Sequence, residues 1–415
     1  MTSLARTFCL LLTGAGLLFA ASASAQNTTA TPTPAATATG PYKVINSDKV
    51  GGAGNWDYIY ADSAGRRLYI PRGDRVDVYD LDADLKPLGT ISNTTGVHGA
   101  AVDPASGHGF CSSNPVVMWD TKTLATIKTI PVQGGPDGIF FEPATERVYI
   151  LSHRAPNVIV LDAKDGSIVG TIDLGGSPEQ GASDGQGHAY IDLEDKDAVA
   201  VVDTKTLKLT GTYDISSKGG GPGGLALDAK NRVIFSFCHD PQTVVILNAD
   251  TGNIITALPI GNGVDAAEFN PNTLEAFSSQ GDATLTVIKE SSPTSFAVEQ
   301  TVTTKSGART STIDTKSGQV YLVTADRAPA TPPPAPAVAP ATAAAPTATP
   351  ASNSTATAAV PAANTTASAT PASNTTAAAA APATTAPAAP GNRGGRRGGR
   401  NQMVPNSFTI IVVGK

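Results

Sequence analysis

Residues able to bind a metal or an anion recur at matching positions in this 415-residue chain. Each lies five residues before an acidic or amide residue that closes a short apolar segment. In chain order, the matching positions hold Asp57, His98, Asp137, Glu179, Gly223, Asp265 and Arg309. Carboxylates bind hard cations such as Ca²⁺, and an added imidazole suits transition metals. If the positions converge, Arg309 can bind an anionic group, and a metal can be held by Asp57, His98, Asp137 and Glu179.

A second set of candidates lies ten or eleven residues after the same closing residues. It comprises Arg72, Asn114, His153, Asp195 and His239. Trp56 adjoins Asp57 and is a candidate for stacking on a ligand. The structural alternative remains open, in which the acidic residues cap turns, Trp56 packs in the core and the histidines are solvated.

The convergence of these residues depends on a sequence phrase that recurs seven times. A short apolar strand ends in the closing residue, a turn follows, and a second apolar strand begins. The closing residues are Asp62, Asp103, Glu142, Asp184, Asp228, Asn270 and Asp314. A period of about 40–45 residues with several short strands per unit is typical of a β-propeller blade. We therefore predict an all-β, seven-bladed β-propeller of four-stranded antiparallel blades, with both candidate sets on one face around the central channel.

The seventh unit is interrupted. Its first two strands end near Asp326, and its third strand is the C-terminal SFTIIVVGK, within 401–415. The stretch PYKVINSDKVG at 41–51 has the pattern of an outer strand, so we predict that the N-terminal strand completes blade 7 and closes the ring. The propeller then covers 41–327 and 401–415. Between them, 328–400 is rich in Ala, Pro and Thr, ends in an Arg/Gly run and is predicted to be a disordered insert.

The N-terminus has the pattern of an export signal. Arg6 precedes an apolar run at 8–20, and Ala-Ser-Ala at 23–25 is a small-residue cleavage site. We predict a signal peptide at 1–25, a flexible linker at 26–40, and a periplasmic or secreted protein. The apolar run is too short to span a bilayer, so no transmembrane anchor is expected.

Charge narrows the choice of partners. Residues 1–40 and 328–400 contain no Asp or Glu, so the propeller region is more acidic than the net charge of −6 for the whole chain. An acidic body argues against nucleic-acid binding by the propeller, since phosphate contacts dominate that affinity. Cys111 and Cys238 are predicted to lie in distant blades and to remain unpaired.

One unit carries a family resemblance most clearly. Residues 136–178, PDGIFFEPATERVYILSHRAPNVIVLDAKDGSIVGTIDLGGSP, resemble the repeat of YVTN-type propellers. Over about 42–327 and 406–415 the chain resembles an exported YncE-like protein. The resemblance implies a propeller fold but no single activity, because related propellers include binding proteins, lactonases and cofactor-dependent dehydrogenases.

Two functions follow from these observations. The first is an exported, non-catalytic binding or scaffold propeller, expected to be a monomer, with a small-molecule ligand or cell-envelope partner on its top face. The insert would tether it to the envelope, and the one cofactor suggested is a divalent cation such as calcium. The alternative is a lactonase-like hydrolase, in which a metal or Arg309 polarises a carbonyl and His98 or Glu179 acts as base. A hydrolase needs a deep pocket at the channel mouth, whereas a scaffold tolerates a filled channel.

Overall fold

A computed structural model describes residues 40–328 and 402–415, which form seven four-stranded antiparallel sheets. This confirms the predicted seven-bladed propeller. The predicted signal peptide at 1–25 lies outside the described residues, as do nearly all of the linker and of the insert. The 3₁₀ turn Glu194–Lys196 is the one helical segment of the described chain. Within that same part, no helix is long and apolar enough to cross a membrane.

The strands are numbered in chain order, beginning with the N-terminal strand β1 (Lys43–Lys49). Blade 1 contains β2 (Tyr60–Asp62), β3 (Arg67–Pro71), β4 (Gly73–Asp80) and β5 (Lys86–Val97). Blade 2 contains β6 (Ala100–Asp103), β7 (His108–Cys111), β8 (Val116–Asp120) and β9 (Thr126–Ile130). Blade 3 contains β10 (Pro136–Glu142), β11 (Arg147–Ser152), β12 (Val158–Asp162) and β13 (Ile168–Ile172). Blade 4 contains β14 (Pro178–Ser183), β15 (His188–Leu193), β16 (Ala198–Asp203) and β17 (Lys208–Asp214).

The remaining blades follow the same order from the channel outward. Blade 5 contains β18 (Pro222–Asp228), β19 (Val233–Cys238), β20 (Thr243–Asn248) and β21 (Ile254–Pro259). Blade 6 contains β22 (Val264–Asn270), β23 (Glu275–Gln280), β24 (Thr284–Ser292) and β25 (Ser295–Thr303). Blade 7 contains β26 (Thr310–Asp314), β27 (Gln319–Thr324), β28 (Thr409–Gly414) and the N-terminal β1.

The closing residues cap the first hairpin turn of every blade. Asp62 Oδ1 accepts a hydrogen bond from the backbone N–H of Gly65 at 2.8 Å, and Asp228 Oδ1 accepts one from Lys230 at 2.9 Å. Equivalent bonds form at Asp103, Glu142, Asp184, Asn270 and Asp314. A side chain that satisfies its own turn in this way fixes the hairpin locally, which explains why the phrase recurs.

Seven hydrophobic clusters hold the blades together, one between each pair of neighbours. Between blades 1 and 2, the rings of Tyr69 and Trp119 lie 5.6 Å apart, and Trp119 is fully buried. Cys111 and Cys238 are buried and unpaired, as predicted. Packed blade interfaces of this kind hold the loops at the ends of the strands in fixed positions.

The N-terminal strand closes the ring, as predicted. Strand β1 pairs with β28, which in turn pairs with β27. In blade 6, the Gln300 side chain accepts the backbone N–H of Tyr42 at 2.9 Å and donates to the carbonyl of Tyr42 at 2.7 Å. The Tyr42 hydroxyl donates to Glu275, and Lys415 Nζ lies 3.2 Å from the same carboxylate. Both ends of the described chain are therefore bound to blade 6.

Candidate functional site

The first predicted set lies around the channel, at the face where the innermost strands begin. Strands β10, β14 and β22 carry Asp137, Glu179 and Asp265. The loops that precede β2, β6 and β26 carry Asp57, His98 and Arg309. Six of the seven repeats thus place one side chain at the channel mouth, and the seventh, blade 5, has Gly223 there.

Four of these residues form a continuous line of polar contacts with one member of the second set. We call this line the mouth cluster; it consists of Asp57, His98, Asp137, His153 and Glu179. His98 Nδ1 lies 2.8 Å from Asp57 Oδ2 and 3.2 Å from Asp137 Oδ1. His153 Nε2 lies 3.4 Å from Asp137 Oδ2 and 3.4 Å from Glu179 Oε1. Each imidazole therefore lies between two carboxylates, and Asp137 contacts both imidazoles through different oxygens.

The contacts in the mouth cluster shift the pKa values of its members. Interaction with the Glu179 carboxylate raises the pKa of His153 to about 9. A hydrogen bond to Asp57 likewise raises the pKa of His98. Burial raises the pKa of Asp137 to about 6. Burial acts to raise the pKa of Glu179 as well, but the hydrogen bond with His153 leaves it lowered. Positive charge on the imidazoles thus compensates the carboxylates, a role that a metal cation can also fill.

Two groups within the mouth cluster have the spacing of metal ligands. One comprises Asp57, His98 and Asp137, and the other Asp137, His153 and Glu179; in each, the ligand atoms lie within 4.8 Å of one another. A four-coordinate Zn²⁺ with bonds of roughly 2.1 Å spaces its ligand atoms by about 3.4 Å. Since the His–carboxylate contacts run from 2.8 to 3.4 Å, small side-chain movements are enough to admit a cation.

Turn capping does not account for Asp137 and Glu179. The N–H groups at the turns that enter the innermost strands bond to residues at the ends of second strands instead. Ser177 N–H donates to Asp195 Oδ1 at 2.6 Å, and Gly135 N–H donates to Ser152 Oγ at 2.9 Å. The side-chain oxygens of Asp137 face imidazoles. Asp195, a second-set candidate, thus caps a turn, whereas the Asp137 side chain is available to bind at the channel mouth.

Two side chains cross the channel directly beneath the mouth cluster. The Tyr58 hydroxyl donates to Glu179 Oε2 at 2.7 Å, which links blade 1 to blade 4. Gln180 accepts hydrogen bonds from the backbone N–H groups of Leu225 and Ala267 at 3.0 Å each. Its amide also donates to the Ala267 carbonyl at 3.0 Å. The mouth cluster is therefore a shallow site with a polar floor.

Tyr58 and Gln180 are site residues that the sequence argument missed. They lie four residues before their closing residues, where the other five blades have Gly99, Gly138, Gly224, Ala266 and Thr310. Large side chains at a position otherwise held by small ones are the signal that could have identified them. Burial, followed by the charge of Glu179, raises the pKa of Tyr58 well above its usual value, so its hydroxyl remains a donor.

The other half of the channel mouth holds Asp265, Arg309 and His239. Arg309 Nε lies 3.0 Å from Asp265 Oδ2, while burial raises the pKa of Asp265 well above its usual range. His239 fills the space opposite Gly223, where an added Cβ would lie 2.6 Å from the imidazole Nε2. Burial lowers the pKa of His239. These three side chains lie outside both ligand groups found in the described chain.

The structure gives Arg72 and Trp56 packing roles. Arg72 is 1 % exposed, and its terminal nitrogens donate to the carbonyls of residues 51–53 at 3.1 to 3.4 Å. Its guanidinium lies 3.6 Å from the ring centroid of Phe408. The centroids of the Trp56 and Phe408 rings lie 5.1 Å apart, and the Arg327 guanidinium lies 5.0 Å from the centroid of the Trp56 ring. Both side chains thus contact Phe408, directly before β28, and join blade 1 to blade 7.

A surface cavity of about 220 Å³ lies on the opposite face, between blades 4 and 5. Its lining includes His188, Tyr190 and Arg232. The guanidinium of Arg232 is occupied, because it lies 2.8 Å from Asp184 and 2.8 Å from Asp250. None of the mouth-cluster residues lines this cavity, which is therefore separate from the mouth cluster.

A short segment that matches a hydrolase motif lies outside the mouth cluster. Residues 181–185 read GASDG and fit the pattern G-x-S-x-G. A nucleophile of that kind requires a sharp turn from a strand into a helix. Ser183 instead ends β14, and strand β15 follows. Its Oγ donates a hydrogen bond to Glu142 Oε1 at 3.2 Å. We therefore do not predict that Ser183 is a catalytic nucleophile.

Comparison with known proteins supports the fold. No family model matches the chain, and no curated protein matches it. Among solved structures, the chain is similar to the structure of U3-55K, with a TM-score of 0.57, 10% identity, and 68% of this chain and 90% of that chain covered. It is also similar to the crystal structure of the RRP9 WD40 repeats, with a TM-score of 0.58, 10% identity, and coverage of 68% and 91%. At this identity the likeness shows a WD40-like propeller fold alone, and the YVTN-type resemblance stays a prediction.

Proposed function

We propose that the protein is an exported, non-catalytic binding propeller that holds a divalent cation in the mouth cluster. The observation that carries this proposal is the position of Asp137. Its Oδ1 lies 3.2 Å from His98 Nδ1, and its Oδ2 lies 3.4 Å from His153 Nε2. Packed blades supply the rigid support that a binding site on loops requires, which agrees with a binding role for a WD40-like propeller.

The ligand types favour a transition metal over calcium. Ca²⁺ is bound by six to eight oxygen ligands, whereas imidazole nitrogen suits zinc, copper, iron and nickel. Each ligand group in the mouth cluster contains one histidine, His98 in the first and His153 in the second. We therefore propose zinc or a similar ion in place of the calcium that the sequence suggested.

A lactonase-like hydrolase is the second candidate. In its favour, the carboxylates approach His98 as that chemistry requires, and Arg309 lies at the same channel mouth. Against it, Tyr58 and Gln180 cross the channel beneath the site, which leaves a shallow mouth. Hydrolysis of a small lactone by the metal-loaded protein, abolished by Asp137→Asn, would favour the hydrolase.

The same proposal gives insert 328–400 a tethering role toward a cell-envelope component. The described residues on either side of 329–401 meet beside the propeller top face, where Ala328 N–H donates to the Gln402 carbonyl at 2.8 Å. Arg327 also forms a β-bridge with Met403. Deletion of 329–401 with the propeller retained is expected to release the protein from isolated cell envelopes. Unchanged retention would exclude the tether and leave the cation site untouched.

Thermal melts of the metal-free, full-length protein test the cation site. A cation at a hundred times its Kd stabilises the fold by about 2.7 kcal/mol, which corresponds to an increase in Tm of roughly 5 °C for a domain of this size. Zn²⁺ is expected to produce this increase, and Asp137→Asn to abolish it. Asp165→Asn, in an exposed turn, is the matched control and keeps the response. A wild-type protein whose Tm ignores Zn²⁺, Mn²⁺ and Ca²⁺ would refute the proposal.

A further inference from the structure

We infer that the mouth cluster is a dinuclear site, in which the carboxylate of Asp137 bridges two divalent transition-metal ions. This inference rests on the proposed function and adds the number of ions, their kind and their shared ligand. A dinuclear site differs from a single-ion site in the number of metal ions bound per chain, which can be measured.

The two oxygens of Asp137 point to different ligand groups. Oδ1 faces His98 at 3.2 Å, and Oδ2 faces His153 at 3.4 Å. The first ion would take His98 Nδ1, a carboxylate oxygen of Asp57 and Asp137 Oδ1. The second would take His153 Nε2, Glu179 Oε1 and Asp137 Oδ2. Each ion thus receives one imidazole, one terminal carboxylate and one oxygen of the shared carboxylate.

Two divalent ions are compatible with the charge of the mouth cluster. Metal coordination requires neutral imidazoles, and the carboxylates of Asp57, Asp137 and Glu179 then offset most of the four positive charges. Two ions therefore leave little uncompensated charge in this half-buried site.

Support behind the ligands and access in front of them complete the site. Tyr58 donates to Glu179 Oε2, the oxygen that faces away from His153, and so holds the carboxylate in orientation. The side chains of His98 and His153 are 36% and 41% exposed. Three protein ligands per ion leave coordination positions open toward the channel mouth, where water or a ligand can bind.

Metal stoichiometry of the full-length protein tests the inference. Metal-free protein is loaded with Zn²⁺, desalted, and analysed for metal per chain by mass spectrometry. The wild type is expected to retain two Zn²⁺ ions, whereas His98→Ala and His153→Ala each retain one. Asp137→Asn is expected to lose both at the same loading concentration. His188→Ala, on the opposite face, is the matched histidine control and keeps two.

A spectroscopic measurement on the wild type keeps the test independent of variant folding. Two Mn²⁺ ions bridged at a separation of about 4 Å are expected to give a spin-coupled electron paramagnetic resonance spectrum. One ion per chain, with an uncoupled Mn²⁺ spectrum, would overturn the dinuclear inference and leave the proposed cation site standing. Absence of bound metal in the wild type would overturn both.

Discussion

His98 Nδ1 and Asp137 Oδ1 lie 3.2 Å apart, although the two residues belong to neighbouring blades. His98 is positioned by blade 2 and Asp137 by blade 3. Their contact therefore depends on how these two blades pack against each other. That packing is a continuous hydrophobic cluster, which includes Phe110 and Ile150. The geometry of the mouth cluster therefore depends on the closed ring of blades. Substitutions that loosen the packing between blades should also change the distances within the mouth cluster.

Tyr58 positions Glu179 without belonging to either ligand group. Tyr58→Phe removes the hydroxyl that donates to Glu179 Oε2 at 2.7 Å. Loss of such an outer contact usually weakens metal binding by roughly 10- to 100-fold, and we expect a loss in this range for Zn²⁺ in calorimetric titration. Tyr213→Phe is the control, because its hydroxyl bonds to the Ala249 carbonyl on the far face. Equal affinities for wild type and Tyr58→Phe would show that Tyr58 has no positioning role.

Gln180 is expected to stabilise the propeller by joining three blades. Gln180→Ala leaves the N–H groups of Leu225 and Ala267 without their side-chain acceptor. An unsatisfied interior donor costs about 1–3 kcal/mol, so the free energy of unfolding in urea should fall by about 2 kcal/mol. Gln186→Ala, in an exposed turn, should change it little. A similar small change for both variants would contradict this account of the channel floor.

Tyr42 tests the closure of the ring by the two ends of the chain. Tyr42→Phe removes the hydroxyl that donates to Glu275, while the backbone bonds to Gln300 remain. Loss of a hydrogen bond to a charged group is expected to lower the free energy of unfolding by about 1.5–3 kcal/mol. Lys43→Ala, at an exposed position, serves as control. Stability unchanged by Tyr42→Phe but reduced by Lys43→Ala would contradict the observed docking on blade 6.

Glu268 should make the stability of the metal-free protein decrease as pH rises. Burial raises the pKa of Glu268 from 4.5 to about 8, although Ser311 Oγ donates to its carboxyl at 3.0 Å. Below pH 4.5 the carboxyl is protonated in the folded and unfolded chains alike. Between these values the unfolded chain releases the proton and the folded chain keeps it, so unfolding becomes easier; above about 8 the effect is constant.

The pH series is read as the difference between wild type and Glu268→Gln. Because the variant cannot titrate at this position, the difference isolates Glu268 from every other group. The unfolding free energy of the wild type, relative to the variant, should fall by on the order of a few kcal/mol from pH 4 to pH 8. Parallel profiles for the two proteins would show that Glu268 is not held protonated by the fold.

The fold could be predicted because its signals are local. The oxygen of Asp62 bonds to the turn three residues later, and equivalent residues repeat this in every blade. Those short-range bonds impose a period that remains visible without any knowledge of the packing. The position of β1 followed from the missing fourth strand of blade 7, since a closed ring needs a partner for β28.

The candidate site could be predicted only in part. Alignment of the repeats brought Asp57, His98, Asp137 and Glu179 to one face, but placed His153 and Arg72 together in a second set. The structure separates these two. His153 turns toward Asp137 and Glu179, whereas Arg72 bonds to the carbonyls of residues 51–53. Residues 51–53 follow β1 and lie outside the repeat. A comparison of the blades therefore could not reveal their hydrogen bonds with Arg72.

The central claim is that the mouth cluster binds divalent cations, and anomalous X-ray scattering tests it most directly. Crystals of the full-length protein loaded with Zn²⁺ would be measured on both sides of the zinc absorption edge. We predict two anomalous peaks, one between His98 and Asp137 and one between His153 and Glu179. Zinc peaks confined to other surfaces, with the mouth cluster left without density, would contradict the account.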